Sequence, residues 1–233
     1  MVLIRLNKYL AEQGVASRRE SDRLIADGLI SVNGKVITEM GVKIDSEKDK
    51  VSVNKKVTER RQKLIYIMLN KPAGYVTSAQ KTRFEKNIVM DLVNVKERIY
   101  PVGRLDKDTT GLLVLTNDGT LTYKLTHPSS ECPKEYEVTV AGFITNGVIT
   151  KLENGVKLWG EKTKSAIVKK IGARKMRIII TEGKNKQIRR ICQKVGLPVV
   201  KLKRVCIKGL HLGDLEVGEW RFLTKDEIEM LKQ

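Results

Sequence analysis

Apolar residues along this chain follow two rhythms. Within residues 5–53 they first recur at helical spacing, with Leu6, Tyr9 and Leu10 on one stripe and Leu24 and Ile25 on a second. Residues three and four apart share a helix face, so this predicts two helices. Ser17-Arg18-Arg19-Glu20 has the form of a capping box that opens the second helix, which is expected to end before Gly28. Ile30, Val32 and Val36 then alternate around Asn33-Gly34, a dipeptide that tolerates the positive φ angles of a tight hairpin. A compact module over residues 1–53 is expected.

Residues 54–63 hold a single apolar side chain, Val57, and read as a linker that spans at most about 33 Å when extended. Beyond it, strand-like runs occur at 64–69, 112–116, 136–140, 166–171, 176–181 and 199–207, with helical patterns at 88–93, 120–125, 146–152 and 187–195. Asn117-Asp118-Gly119 and Glu182-Gly183 break the runs, and Thr224-Lys225-Asp226-Glu227 opens a closing helix through Leu231. The irregular alternation predicts an α+β domain over 64–233, with a mixed or antiparallel sheet flanked by helices, in preference to a doubly wound sheet.

Charge narrows the partners. Lys plus Arg number 45 against 27 Asp plus Glu, a formal net charge of +18, which points to a polyanion. No run of about 18 apolar residues is present and the N-terminus lacks a signal peptide's apolar region, so a soluble, cytoplasmic protein without a membrane partner is expected. Cys132, Cys192 and Cys206, with His127 and His211, show no zinc-ligand spacing, so no metal is expected and the thiols are read as reduced and structural. Neither a phosphate-binding Gly-Lys-Ser/Thr loop nor a dinucleotide fingerprint occurs, so no cofactor is expected. Nothing indicates an oligomer, and a monomer is expected.

Arg19 and Arg23 share one face of the second helix, with Arg18 close to its start. Bases there oppose the helix dipole, and an arriving phosphate would relieve the mismatch. The order helix, Ser-Arg-Arg-Glu helix, Val-Asn-Gly-Lys hairpin resembles the alpha-L RNA-binding module first known from a ribosomal small-subunit protein, over residues 5–51. The resemblance implies structured RNA as partner and an RNA-binding set of Arg5, Lys8, Arg18, Arg19, Arg23 and Lys35.

The densest chemistry lies in Gly103-Arg104-Leu105-Asp106-Lys107-Asp108-Thr109-Thr110-Gly111-Leu112-Leu113. A Gly-flanked loop brings its backbone close to whatever binds, and a carboxylate at a strand entrance is fixed in direction. Taken alone, either Asp106 or Asp108 could simply cap the turn. The run from Tyr100 to Gly119, however, resembles the catalytic segment of bacterial ribosomal RNA pseudouridine synthases of the RsuA/RluF type. That resemblance implies conversion of uridine to its carbon-linked isomer and makes Asp106 the catalytic aspartate. The carboxylate either attacks the anomeric carbon or removes the neighbouring ribose proton to give a glycal.

Further roles follow from the same resemblance. Glu182-Gly183-Lys184-Asn185-Lys186-Gln187-Ile188-Arg189-Arg190 would supply a base paired with the aspartate, placed on Arg189 with Arg190 as the adjacent alternative. A guanidinium suits this task because its forked donors hold a carboxylate in two places. Tyr136, in Lys134-Glu135-Tyr136-Glu137-Val138, would stack on the target base and assist proton removal from ring carbon five. Arg104 would fill the space left by a uridine pulled from a stem-loop. Leu105, Lys71, Lys186, Gln187 and Arg190 complete the expected RNA contacts. Asn70-Lys71-Pro72, Arg189-Arg190-Ile191-Cys192 and Gly218-Glu219-Trp220-Arg221 are more similar to the RluF branch, which implies 23S rRNA near the peptidyl-transferase centre. The alternatives are a 16S rRNA enzyme or a noncatalytic structured-RNA-binding protein, and the substrate form is either isolated RNA or a ribosomal precursor particle.

Overall fold

The Asn33-Gly34 turn forms as its residue types require, with φ of +51° and +82°, and it joins the first two strands of a small sheet. A computed structural model describes residues 3–54 and 63–233 with the backbone of 56 and 57, and the chain falls into two units, one ending at Leu64 but including Lys96–Arg98, the other made of Ile65–Val95 and Ile99–Gln233. The first unit runs β1 (Leu3–Arg5), α1 (Leu6–Glu12), α2 (Arg18–Ala26), β2 (Ile30–Val32), β3 (Lys35–Ile37), β4 (Lys43–Asp45), β5 (Val51–Val53) and β6 (Lys56–Val57). β1 pairs with β4, and the other strands form a sheet in the order β3-β2-β5-β6. Leu6, Leu10, Ile25, Ile30, Ile44 and Val51 make its core. Ser17 Oγ accepts from Glu20 N at 3.2 Å, but the Glu20 carboxylate turns to Arg23, so only half of the expected capping box is present. Most of the stretch expected as a linker, residues 55 and 58–62, lies outside the described residues, while 56–57 extend the sheet by pairing with β5.

The second unit runs β7 (Tyr66–Lys71), β8 (Tyr100–Pro101), β9 (Thr110–Thr116), α3 (Gly119–Thr126), β10 (Lys134–Val140), α4 (Asn146–Glu153), β11 (Lys157–Leu158), β12 (Glu161–Lys162), β13 (Ile167–Gly172), β14 (Lys175–Ile180), α5 (Gln187–Lys194), β15 (Val199–Ile207), β16 (Leu210–His211), β17 (Trp220–Phe222) and α6 (Lys225–Lys232). The main sheet has the order β13-β14-β10-β15-β9-β7-β17, with β16 added to β15 and β8 to β9. β9 and β15 run parallel and the remaining pairs are antiparallel, so the sheet is mixed. The apolar pattern at 88–93 gives a single 3-10 turn, Val89–Leu92, in place of the expected helix.

Strands near the middle of the sheet are buried on both faces. Along β7 and β9, Ile67, Leu69, Leu113 and Leu115 enter one core, while Tyr66, Met68, Leu112 and Val114 enter the other. This explains their unbroken apolar runs, since a strand covered on both sides has no polar face to alternate with. α5 contributes Ile188, Ile191 and Cys192 to the first core, and α3 and α6 contribute Leu121, Leu125 and Leu231 to the second. Two layers therefore clamp the sheet.

Gly111 marks the seam where β9 meets β15, opposite Arg204 in the register. A Cβ at Gly111 would lie 2.2 Å from the Arg204 carbonyl oxygen, and its φ is +99°, so steric approach and backbone angle both demand glycine. Gly103 has φ +72°, but an added Cβ would meet only Thr126 Cγ2 at 3.4 Å. Gly111→Ala is thus expected to lower the unfolding free energy by more than about 3 kcal/mol, against about 1–2 kcal/mol for Gly103→Ala, as read by urea denaturation. Equal losses at the two positions would show that φ alone governs them.

Candidate active site

The turn between β8 and β9 has almost no secondary structure of its own, yet its carbonyls from 105 to 109 are accounted for one by one. Leu105 N donates to Thr77 Oγ1 at 3.2 Å, and that hydroxyl donates to Leu105 O at 2.8 Å. Thr109 N closes the turn on Asp106 O at 3.0 Å, and Gly74 N donates to Lys107 O at 2.9 Å. Arg189 Nη2 donates to Asp108 O at 3.3 Å. Lys71 Nζ reaches Pro72 O at 2.9 Å, Lys107 O at 3.1 Å and Thr109 O at 2.9 Å. Every carbonyl from 105 to 109 has a donor, so the direction of the Asp106 side chain is set from below.

Lys71 ends β7 and is fully buried. Its ammonium has three hydrogens and finds three carbonyls, which is complete satisfaction for that group. Burial pulls its pKa down to about 8, opposed by the attraction of Asp108 and Asp106. It cannot touch RNA as expected of it. It is instead a post under the loop.

Above the loop opens a cleft of about 310 Å³, with Asp106, Tyr136, Arg104, Thr109, Lys184 and Lys186 among its lining. Tyr136 stands on β10, where it and Val138 face inward while Glu135 and Glu137 take the other side and pair with Arg177. The far wall is the turn from β14 into α5. Gln187 holds it by donating to Glu182 Oε1 at 2.5 Å and accepting from Lys184 N at 3.0 Å. Lys186 sits there with φ +50°, an uncommon angle for a side-chain-bearing residue. Cys192, on the inner face of α5, is pushed up to about 12 by burial and remains a thiol.

The expected residues thus separate into three groups. Asp106 is partly exposed, Arg104 and Lys186 are exposed, and all three share the cleft with Tyr136. Leu105 and Gln187 line the cleft but are largely buried, with the Leu105 backbone and the Gln187 amide engaged internally. Arg189 does not form the expected ion pair with Asp106: its guanidinium holds the Asp108 carbonyl, and among the described residues no base lies within ion-pair distance of the Asp106 carboxylate. Arg190 donates to Asn185 Oδ1 at 3.1 Å and lies over the Trp159 ring. In the first unit, Arg5, Lys8, Arg18, Arg19, Arg23 and Lys35 are all exposed, with Lys8 paired to Glu12 and Arg23 to Glu20. Sequence reasoning overlooked Thr77, whose hydroxyl brackets Leu105, and Thr109, whose buried hydroxyl has no partner among the described residues and borders the cleft.

A carboxylate directed into a basic cleft beside a tyrosine can act as nucleophile or base toward an anionic, base-bearing ligand. Its placement depends on Lys71. Lys71→Met is expected to accelerate amide hydrogen exchange at residues 106–110 at least tenfold, while global stability shifts by less than about 2 kcal/mol because the lost donors and the relieved buried charge offset each other. Exchange unchanged by the substitution, measured by mass spectrometry, would remove the post from the account.

Comparison with known proteins accords with this geometry. The RNA pseudouridylate synthase family matches residues 65–194, and the S4 domain family matches residues 4–51. "Ribosomal large subunit pseudouridine synthase B" of Bacillus subtilis (strain 168) is 41% identical over 98% of this chain and 95% of its own length. "Dual-specificity RNA pseudouridine synthase RluF" of Escherichia coli (strain K12) is 42% identical over 97% of this chain and 77% of its own length. A solved pseudouridylate synthase superposes with a TM-score of 0.73 at 31% identity, covering 98% of this chain and 99% of that one. The chain belongs to the RNA pseudouridylate synthase family and carries an S4 domain at its N-terminus.

Proposed function

We propose that this enzyme isomerises a uridine of ribosomal RNA, in the large subunit near the peptidyl-transferase centre, and that Asp106 is the group that acts on the sugar. The observation that carries the reading is a single partly exposed carboxylate lining a basic cleft, on a loop whose carbonyls from 105 to 109 are all hydrogen-bonded. Such a cleft has room for a nucleotide taken out of its stack, and its rim of Arg104, Lys184 and Lys186 suits the adjoining phosphates. The ribosomal reading is supported by the name of the Bacillus subtilis relative.

The reaction leaves atomic composition unchanged. The bond from the anomeric carbon to ring nitrogen one breaks, a bond to ring carbon five forms, that carbon loses a proton and the nitrogen gains one. Asp106 starts it, by attack at the anomeric carbon or by taking the adjacent ribose proton, and in both routes the freed uracil turns over against Tyr136. Lys71 holds the loop from behind, with its buried charge near the carboxylates of Asp108 and Asp106. Arg104 occupies the gap left in the stem. The first unit, through Arg5, Lys8, Arg18, Arg19, Arg23 and Lys35, grips the surrounding RNA, with residues 1–53 and 64–233 as docking and catalytic domains.

Purified enzyme incubated with 23S and 16S transcripts should give one new carbodiimide-resistant reverse-transcription stop in 23S RNA, and Asp106→Asn should abolish it. A stop in 16S RNA instead would transfer the substrate assignment, and a stop that survives Asp106→Asn would remove the aspartate from the mechanism. The pH profile tests Lys71. A lysine whose pKa is pulled below its ordinary value loses its proton as pH rises through about 8, leaving two hydrogens for three carbonyls, so kcat should fall above that pH. A flat profile from pH 7 to 9.5 would contradict a charged Lys71.

A further inference from the structure

The hairpin of β11 and β12 breaks two local rules in six residues. Its two-residue turn is Trp159-Gly160, with φ of +51° and +86°. This backbone form favours Asn or Asp followed by Gly, and a bulky side chain at the first position is strained. One step below the Leu158–Glu161 pair that flanks the turn, Lys157 is the register partner of Lys162, so two like charges face each other across the strands. Both lysines are exposed and neither forms an ion pair among the described residues. Neither feature is explained by packing: the hairpin is anchored by buried Leu158 and by the bonds between Val156 and Thr163, while Trp159 keeps 58% of its surface in solvent. Sequences that violate local preference without a folding gain do so at functional positions.

The hairpin is also tied to the cleft. Glu161 Oε2 meets Lys184 Nζ at 3.1 Å, and Lys184 lines the cleft. Arg190 lies 4.5 Å from the centre of the Trp159 ring and bonds Asn185, another cleft residue. The indole is therefore backed by a guanidinium while more than half of its surface stays in solvent, an arrangement that suits a platform.

We propose that the Lys157–Lys162 hairpin is a nucleotide-binding arm, in which an unpaired base of the RNA next to the extruded uridine stacks on the exposed surface of Trp159 while Lys157 and Lys162 meet its flanking phosphates. The mutual repulsion of the lysines is relieved when a phosphate arrives, and the strained tryptophan gains a stacking partner. The assignment rests on the ribosomal RNA reading above, because it requires RNA in the cleft.

The substitution that tests it is Trp159→Asn, which suits the turn and removes the platform. Its thermal midpoint should equal or exceed that of wild type, while affinity for the 23S transcript falls roughly 5- to 100-fold; Trp159→Phe should retain most of the affinity. The chain has two tryptophans, so in Trp220→Phe protein all indole emission comes from Trp159, and adding the transcript should quench it. Wild-type affinity and turnover in Trp159→Asn, or emission unaffected by bound transcript, would overturn the proposal. Wild-type protein that forms no pseudouridine in any rRNA transcript would overturn the ribosomal reading instead, and the quench and the affinity loss decide the platform separately.

Discussion

Three carbonyls converging on one buried ammonium hold this structure's chemistry in place. Lys71 is buried where a lysine is expensive to keep charged, and burial has already moved its pKa to about 8. An apolar side chain would pack there with less penalty, but it could not bind Pro72, Lys107 and Thr109 at once. The cation is retained because it fixes a loop with no ladder of its own. Its second effect is electrostatic, since the same charge faces two carboxylates, Asp106 and Asp108, from the protein side.

Around that post the cleft is assembled from both sides of the Gly111 seam. β7 and β9 bring Lys71 and the loop; β10, β14, β15 and α5 bring Tyr136, Lys184 and Lys186. The backbones of Gly111 and Arg204 approach so closely that no side chain fits between them. Arg204 adds a further tie, donating from Nε to Leu112 O at 2.8 Å from a buried position. The two walls are thereby held at a fixed spacing.

Local order explains what could be read from the sequence. The Asn33-Gly34 hairpin, the caps at Ser17 and Thr224, and the strands at 112–116 and 199–207 depend on neighbours within a few residues, and all are present. Sheet order was hidden because Arg204 meets Gly111 across most of the domain and leaves no local mark. Lys71-Pro72-Ala73-Gly74 resembles a surface turn for the same reason, since the carbonyls that bury Lys71 lie 36 and 38 residues ahead. Gln187 appeared free beside Arg189 and Arg190, yet Glu182 and Lys184 fold back to use both ends of its amide. The loop that brings Asp106 to the cleft was legible because it is encoded in one contiguous motif. The post beneath it was not, because Lys71 comes from another strand.

The order in which the chain leaves the ribosome gives the first unit's separate core a further meaning. The buried residues of that core lie between positions 6 and 51, whereas the cleft needs strands extending to residue 207. At synthesis rates of about 5 to 20 residues per second, the small unit can close roughly 8 to 30 s before the last wall of the cleft exists. A nascent enzyme therefore acquires its S4 domain well before it can alter a base, and truncated translation products would be competitors of the finished protein for RNA.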